Sequence, residues 1–128
     1  MRLLLDTHAI IWFMIGDDRL PLDIRRVIAD DANTVLVSAV SAMEVTTKHR
    51  LGKLPEAALL AADFQGLTES RGFDGLPLSL RQAEYAGRLS FAHRDPFDRL
   101  LIAQAVLEDL TLVSNAQMFD VTGVSRLW

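Results

Sequence analysis

The apolar run Arg2 to Leu5 stops abruptly at Asp6, and the same pattern recurs along the chain. Runs this short, with no polar alternation, read as strands buried on both faces of a sheet. Thr34 to Ser38 is a second such run, rich in β-branched residues. Leu76 to Leu78 is a short, edge-like third, and Thr111 to Ser114 a fourth. The tail Val121 to Trp128 has room for a last short strand.

The intervening stretches carry helix signals. His8 to Ile15 ends at Gly16-Asp17-Asp18, and Pro21 opens a second helix with Leu22, Val27 and Ile28 as its apolar positions. A third is predicted from about Ala42 to Leu51, stopping at Gly52. Pro55 opens a fourth running to about Arg71, with Gly72 as its C-cap. Leu80 to Leu89 and Pro96 to Asp109 complete the set. Strands alternating with helices predict an α/β fold: a central parallel sheet of four to five strands with helices on both faces.

Composition fits one globular domain over residues 1–128, because 50% of the chain is hydrophobic and 23% charged. The absence of cysteine excludes a disulfide scaffold, a zinc–thiolate site, an iron–sulfur cluster and a cysteine nucleophile. A net charge of −4 argues against nonspecific coating of nucleic acid. Only Leu3, Leu4 and Leu5 follow Met1-Arg2 before Asp6, short of the ~7–15 apolar residues of a signal-peptide core, and the run Ile10 to Ile15 is too short for the ~20 of a membrane span. The expected location is cytoplasmic, with no membrane partner.

Ligands of open α/β sheets bind beyond the carboxyl ends of the strands. Three acidic stretches fall there: Asp6 after the first strand, Glu44 after the second, and Asp95 with Asp98 at the start of the Pro96 helix. Local structure offers each a bland role. Ser41-x-x-Glu44 fits a capping box, Glu44 and Lys48 form an i,i+4 pair, and Asp95 fits an N-cap before Pro96. Asp6 is harder to explain this way, since a charge at the end of a buried strand needs a partner. Together the carboxylates would repel unless a cation filled them, and oxygen ligands without thiolate favour Mg²⁺ or Mn²⁺. Metal-bound water is a hydrolytic nucleophile, which makes phosphodiester hydrolysis the natural chemistry of such a site.

The basic run Lys48-His49-Arg50-Leu51-Gly52-Lys53 would flank that pocket, and Lys48, Arg50, His93 and Arg99 are the candidate substrate contacts, with Arg94 extending the rim. No Gly-x-Ser-x-Gly surrounds Ser38, Ser41 or Ser114, and the seven glycines form neither a P-loop nor a dinucleotide fingerprint.

Four segments resemble the motifs of PIN-domain ribonucleases, above all the VapC-like toxins of type II toxin–antitoxin systems. They are Leu3-Leu4-Leu5-Asp6-Thr7-His8-Ala9, Ser38 to Glu44, His93-Arg94-Asp95-Pro96-Phe97-Asp98-Arg99 continuing to Ala105, and Leu112-Val113-Ser114-Asn115. The resemblance runs to the closing Gly123 to Trp128. It implies a PIN-like fold, a Mg²⁺- or Mn²⁺-dependent endoribonuclease acting on RNA, a cognate antitoxin and a homodimer. It places Asp6, Glu44 and Asp98 in the family's acidic core, with Asp95 as an additional acid and Thr7, Ser114 and Asn115 in support. One departure stands out. Many relatives carry an acid just after the last interior strand, where this chain has Asn115 and Ala116.

Two other readings stay open. A receiver domain has this length and acids at strand ends, but here Thr7 follows Asp6 and no lysine follows Ser114. A PIN fold that kept binding and lost catalysis is compatible with Ala116.

Overall fold

The sheet is built outward from β1 (Arg2–Leu5), whose Leu3, Leu4 and Leu5 are fully buried. The computed structural model describes all residues, 1–128. β1 pairs in parallel with β2 (Thr34–Ser38) on one side and β4 (Thr111–Val113) on the other. The edges are β3 (Asp74–Leu76) and β5 (Arg126–Leu127), giving an all-parallel order β3-β2-β1-β4-β5. Seven α-helices connect the strands: α1 (Thr7–Ile15), α2 (Leu22–Ala29), α3 (Ala39–Arg50), α4 (Ala58–Ala62), α5 (Phe64–Ser70), α6 (Leu80–Arg88) and α7 (Pro96–Leu107). The predicted α/β fold, with five parallel strands, is the one formed.

Strand alternation divides the core between the two faces. Leu3, Leu5, Val35 and Val37 pack with Ile10, Ile24, Ile28 and Leu60 on one side. Leu4, Leu36 and Leu112 pack with Val40, Leu101, Ile102 and Phe119 on the other. No helix is long and apolar enough to cross a membrane.

Three element boundaries differ from expectation, each for a local reason. Helix α3 begins at Ala39 because Ser38 caps it, accepting from the Val40 amide at 2.9 Å. Ser41 is therefore inside the helix, and the capping box read from Ser41 and Glu44 does not form. The single helix predicted from Pro55 to Arg71 is broken. Pro55–Ala57 is a 3₁₀ turn, and Asp63 leaves helical geometry (φ −154°, ψ 67°) to cap α5 through the Gly66 amide. A Cβ at Gly66 would meet that carboxylate at 2.2 Å, so a larger residue there would have to shift the Asp63 side chain. Strand β3 lies two residues earlier than Leu76–Leu78, ending before Pro77, which has no amide to donate to a ladder.

The strand order reverses at β1: β2 and β3 extend one way, β4 and β5 the other. The crevice beyond the carboxyl ends of β1 and β4 is thus the topological switch point. The Asp6 amide donates to the Val113 carbonyl at 3.0 Å and fixes the two strand ends against each other.

Candidate active site

Asp6 sits at that crevice as the N-cap of α1, its carboxylate accepting from the Ala9 amide at 2.8 Å. It is only 8% exposed. Burial pushes its carboxyl up to about 6, against the pull of the Ser114 hydroxyl and the Ala9 amide, and the nearby Asp98 charge adds to the rise. Ser114, fully buried at the end of β4, also accepts from the Ala116 amide at 3.1 Å.

Glu44 reaches the same region from the second turn of α3 and is 3% exposed. Its Oε1 accepts from the Thr7 hydroxyl at 2.5 Å, and its Oε2 is paired with the Lys48 ammonium. Thr7 Oγ1 also lies 3.0 Å from Ser41 Oγ. A hydroxyl has one proton, and Thr7 spends its own on Glu44, so Ser41 is the donor in that contact. The relay Ser41–Thr7–Glu44 joins α1 to α3 through a buried carboxylate.

Asp95 and Asp98 open α7. Asp95 caps it, accepting from the amides of Phe97 at 2.9 Å and Asp98 at 3.4 Å. Asp98 is half-buried, and its Oδ2 lies 2.7 Å from His93 Nε2. Burial raises the Asp98 carboxyl, His93 opposes the rise, and the charges of Asp95 and Glu44 add to it. Ligand atoms of His93, Asp95 and Asp98 lie within 4.8 Å of one another, close enough to share an ion.

The four sequence-predicted acids therefore gather at one place, but not as equals. His93 joins Asp95 and Asp98 in the tightest group. Asp6 and Glu44 stand outside it, in electrostatic reach of Asp98. An oxygen-rich set with one imidazole fits Mg²⁺ or Mn²⁺. The raised carboxyls of Asp6 and Asp98 are what a cation would relieve.

The predicted substrate contacts divide. Arg50 ends α3 exposed, and Arg94 is exposed on the loop before α7. Lys48 turns inward to Glu44, so it belongs to the pocket and not to its rim. Arg99 does not face the pocket as a free cation. Its guanidinium donates to the carbonyls of Ala86, Leu89, Phe91 and His93 at 3.1, 2.6, 2.6 and 3.2 Å. That reading of Arg99 is corrected: it clamps the segment between α6 and α7 that carries His93 and Asp95. Asn115 is exposed and Ala116 half-buried, and neither brings a carboxylate. Asp120 is held by Arg126, which keeps its carboxyl below the usual range.

Sequence reasoning missed the Ser41 relay and the packing of His93 against Phe91 and Phe119, whose ring centroids lie 5.5 and 5.9 Å from its own. The i,i+3 spacing of Ser41 and Glu44 was the available signal for the first. The second joins residues 26 apart in sequence, Phe119 and His93, and had none.

Residues 3–124 match the PIN domain family. The chain belongs to the PIN-domain family. No curated protein matches it in sequence. Its fold is shared by solved toxin–antitoxin structures. VapBC2 from Rickettsia felis, bound to a DNA fragment from its promoter, superposes with a TM-score of 0.73 at 18% identity, covering 99% of this chain and 98% of the other. DNA-bound VapBC from Salmonella typhimurium gives 0.69 at 22%, covering 99% and 97%. Mycobacterium tuberculosis VapC20, described as a sarcin–ricin loop cleaving toxin, gives 0.61 at 16%, covering 95% of each. This PIN domain thus has the VapC-like toxin fold. Membership also removes the receiver reading, whose sheet order is 2-1-3-4-5 and not the order seen here. PIN domains are typically metal-dependent nucleases.

Proposed function

We propose that this PIN domain is a Mg²⁺- or Mn²⁺-dependent endoribonuclease toxin, neutralised by a cognate antitoxin. The observation that carries the proposal is the convergence of Asp6, Glu44, Asp95 and Asp98 at the switch point of the sheet, with two carboxyls held above their usual range.

Asp98, Asp95 and Asp6 would hold the metal, with His93 beside them. When bound, a divalent ion supplies an activated water and neutralises charge on the phosphate. The chain's own residues do the rest. The Ala9 amide and Ser114 fix the Asp6 carboxylate, so it meets a cation in one orientation. The Asp95 cap holds the first turn of α7 and with it Asp98. Arg50 and Arg94 are free to take RNA phosphates. The same pocket would accept an arginine or lysine from an antitoxin, because a guanidinium binds carboxylate in a bidentate fork.

A homodimer belongs to this reading. Met43, Leu78, Phe97 and Leu100 line an apolar hollow available to a second copy. The missing carboxylate at Ala116 favours one alternative, a PIN domain that binds RNA and cuts it slowly.

The test is cleavage of total and transfer RNA by the purified, antitoxin-free protein. Cleavage is expected with Mg²⁺ or Mn²⁺, abolished by EDTA and by Asp98→Asn. Full cleavage in EDTA would overturn the metal mechanism. Binding without cleavage in either metal would favour the slow-binding alternative. Co-expression with a small neighbouring gene should yield a co-eluting complex in which cleavage is silent.

A further inference from the structure

Phosphodiester sites that use two metal ions hold them about 3.5–4 Å apart on two sets of ligands. This chain leaves only one such set unoccupied. After β4, Asn115 offers only a neutral amide oxygen, Ala116 has no side-chain ligand atom, and Asp120 is committed to Arg126. The close group is His93, Asp95 and Asp98, and Glu44 is outside it. Both Glu44 oxygens are already occupied, one by the Thr7 hydroxyl and the other by the Lys48 ammonium.

The Lys48–Glu44 pair is unlike an ordinary helix-surface pair. Its side chains are 28% and 4% exposed, whereas the exposed pair Arg88–Glu84 at the same spacing is 75% and 59% exposed. The Lys48 ammonium lies 5.7 Å from the centre of the Phe97 ring, which covers it from the α7 side. The charges of Asp95 and Asp98 act on it as well as that of Glu44. An ammonium in that position is bound to Glu44 and stays within electrostatic reach of Asp95 and Asp98.

We propose that Lys48 is the resident second cation of this centre: its ammonium takes the place beside Glu44 that a second divalent ion would fill, and the pocket binds a single metal ion on the Asp98 side. The inference rests on the metal-dependent reading above and adds to it the number of ions and the role of Glu44. Lysine, a compact point charge with three donors, can serve a carboxylate and still meet a phosphate oxygen when RNA arrives.

Mn²⁺ binding tests this without any cleavage assay. Wild type, Lys48→Arg and Lys48→Met are titrated with Mn²⁺, following the free-ion electron paramagnetic resonance signal and the heat of binding. One Mn²⁺ per chain is expected for wild type and Lys48→Arg, and two for Lys48→Met, whose Glu44 is released as a ligand. A single Mn²⁺ in a folded Lys48→Met protein, or two in the wild type, would overturn the inference and leave the metal reading standing. No Mn²⁺ in any of the three would overturn both.

Should Lys48→Met fail to fold, the unaltered protein gives an independent answer. The chain has one other lysine, Lys53, and it is exposed. Amine-reactive labelling read by mass spectrometry should modify Lys53 at least tenfold faster than Lys48, with saturating Mn²⁺ and without it. Equal rates, or exposure of Lys48 on adding Mn²⁺, would show that the metal displaces the lysine and would refute its role as second cation.

Discussion

The Thr7 hydroxyl donates to Glu44 Oε1 across 2.5 Å, linking the residue next to Asp6 with the acid that follows β2. Two of the strand ends therefore share one hydrogen-bond relay, in which Ser41 feeds Thr7 and Thr7 feeds a buried carboxylate. The arrangement explains why a small hydroxyl residue follows Asp6. A bulkier side chain would not fit among Thr7's buried neighbours, and an apolar one would leave Glu44 short of a donor.

Thr7→Val should accordingly destabilise the protein by about 1–3 kcal/mol, the cost of an unmet buried acceptor. Thr7→Ser, which keeps the donor, should lose less than half of that. Urea unfolding at constant pH measures both. A larger loss in Thr7→Ser than in Thr7→Val would mean that the methyl group, and not the hydroxyl, is what matters at position 7.

Asp6 gives the metal-free protein an unusual pH dependence. Its folded carboxyl lies at about 6, above the ordinary 3.8. Between those values the folded chain binds more protons than the unfolded one, so this group's contribution to stability rises as pH falls from 7 toward 4. Above pH 6 the buried charge costs up to about 3 kcal/mol. Asp6→Asn keeps an N-cap for Ala9 and removes the charge. It should be more stable than wild type at pH 8, with the difference vanishing below pH 4. Saturating Mn²⁺ should stabilise the wild type at pH 8 and leave the variant nearly unchanged.

His93→Ala should move the acid limb of the cleavage profile to higher pH. The His93 hydrogen bond holds the Asp98 carboxyl down against burial and its acidic neighbours. Without it the carboxyl rises further, and a higher pH is needed to keep Asp98 ionised for a cation. An unchanged profile with uniformly lower rate would assign His93 to packing against Phe91 and Phe119 instead.

Arg99→Lys should be as damaging as Arg99→Ala, with losses of about 2–4 kcal/mol in stability. A guanidinium satisfies four carbonyls in a fixed fork, and an ammonium cannot reproduce that geometry. Cleavage should fall with stability, because the clamped segment carries His93 and Asp95. A thermal melt and a cleavage assay on each variant suffice. Full stability in Arg99→Lys would return Arg99 to the set of phosphate contacts.

The sequence alone determined the alternation of strands and helices, the place of Asp6 at a strand end and that of Asp95 and Asp98 at a helix start, with Glu44 in the helix after the second strand. Those signals are local. A buried strand such as Leu3-Leu4-Leu5 is apolar at every position, and the Asp95-Pro96 helix start is written in adjacent residues. The break at Asp63 escaped because helix periodicity continues through it, and only the carboxylate's turn onto the Gly66 amide interrupts the chain.

Tertiary structure alone decided which charges are free. Lys48 pairs with Glu44 as its i,i+4 spacing already allowed, but Arg99, read as a rim cation in the sequence, is consumed by four carbonyls of α6 and the segment before α7. Ser38 caps α3 and also reaches Gln104, 66 residues away, tying β2 to α7. The reason is physical. An apolar side chain is buried by any apolar neighbour, so its fate follows from periodicity. A polar or charged group is fixed by a particular partner at hydrogen-bond distance, and that partner is chosen by the packing of segments far apart in the chain.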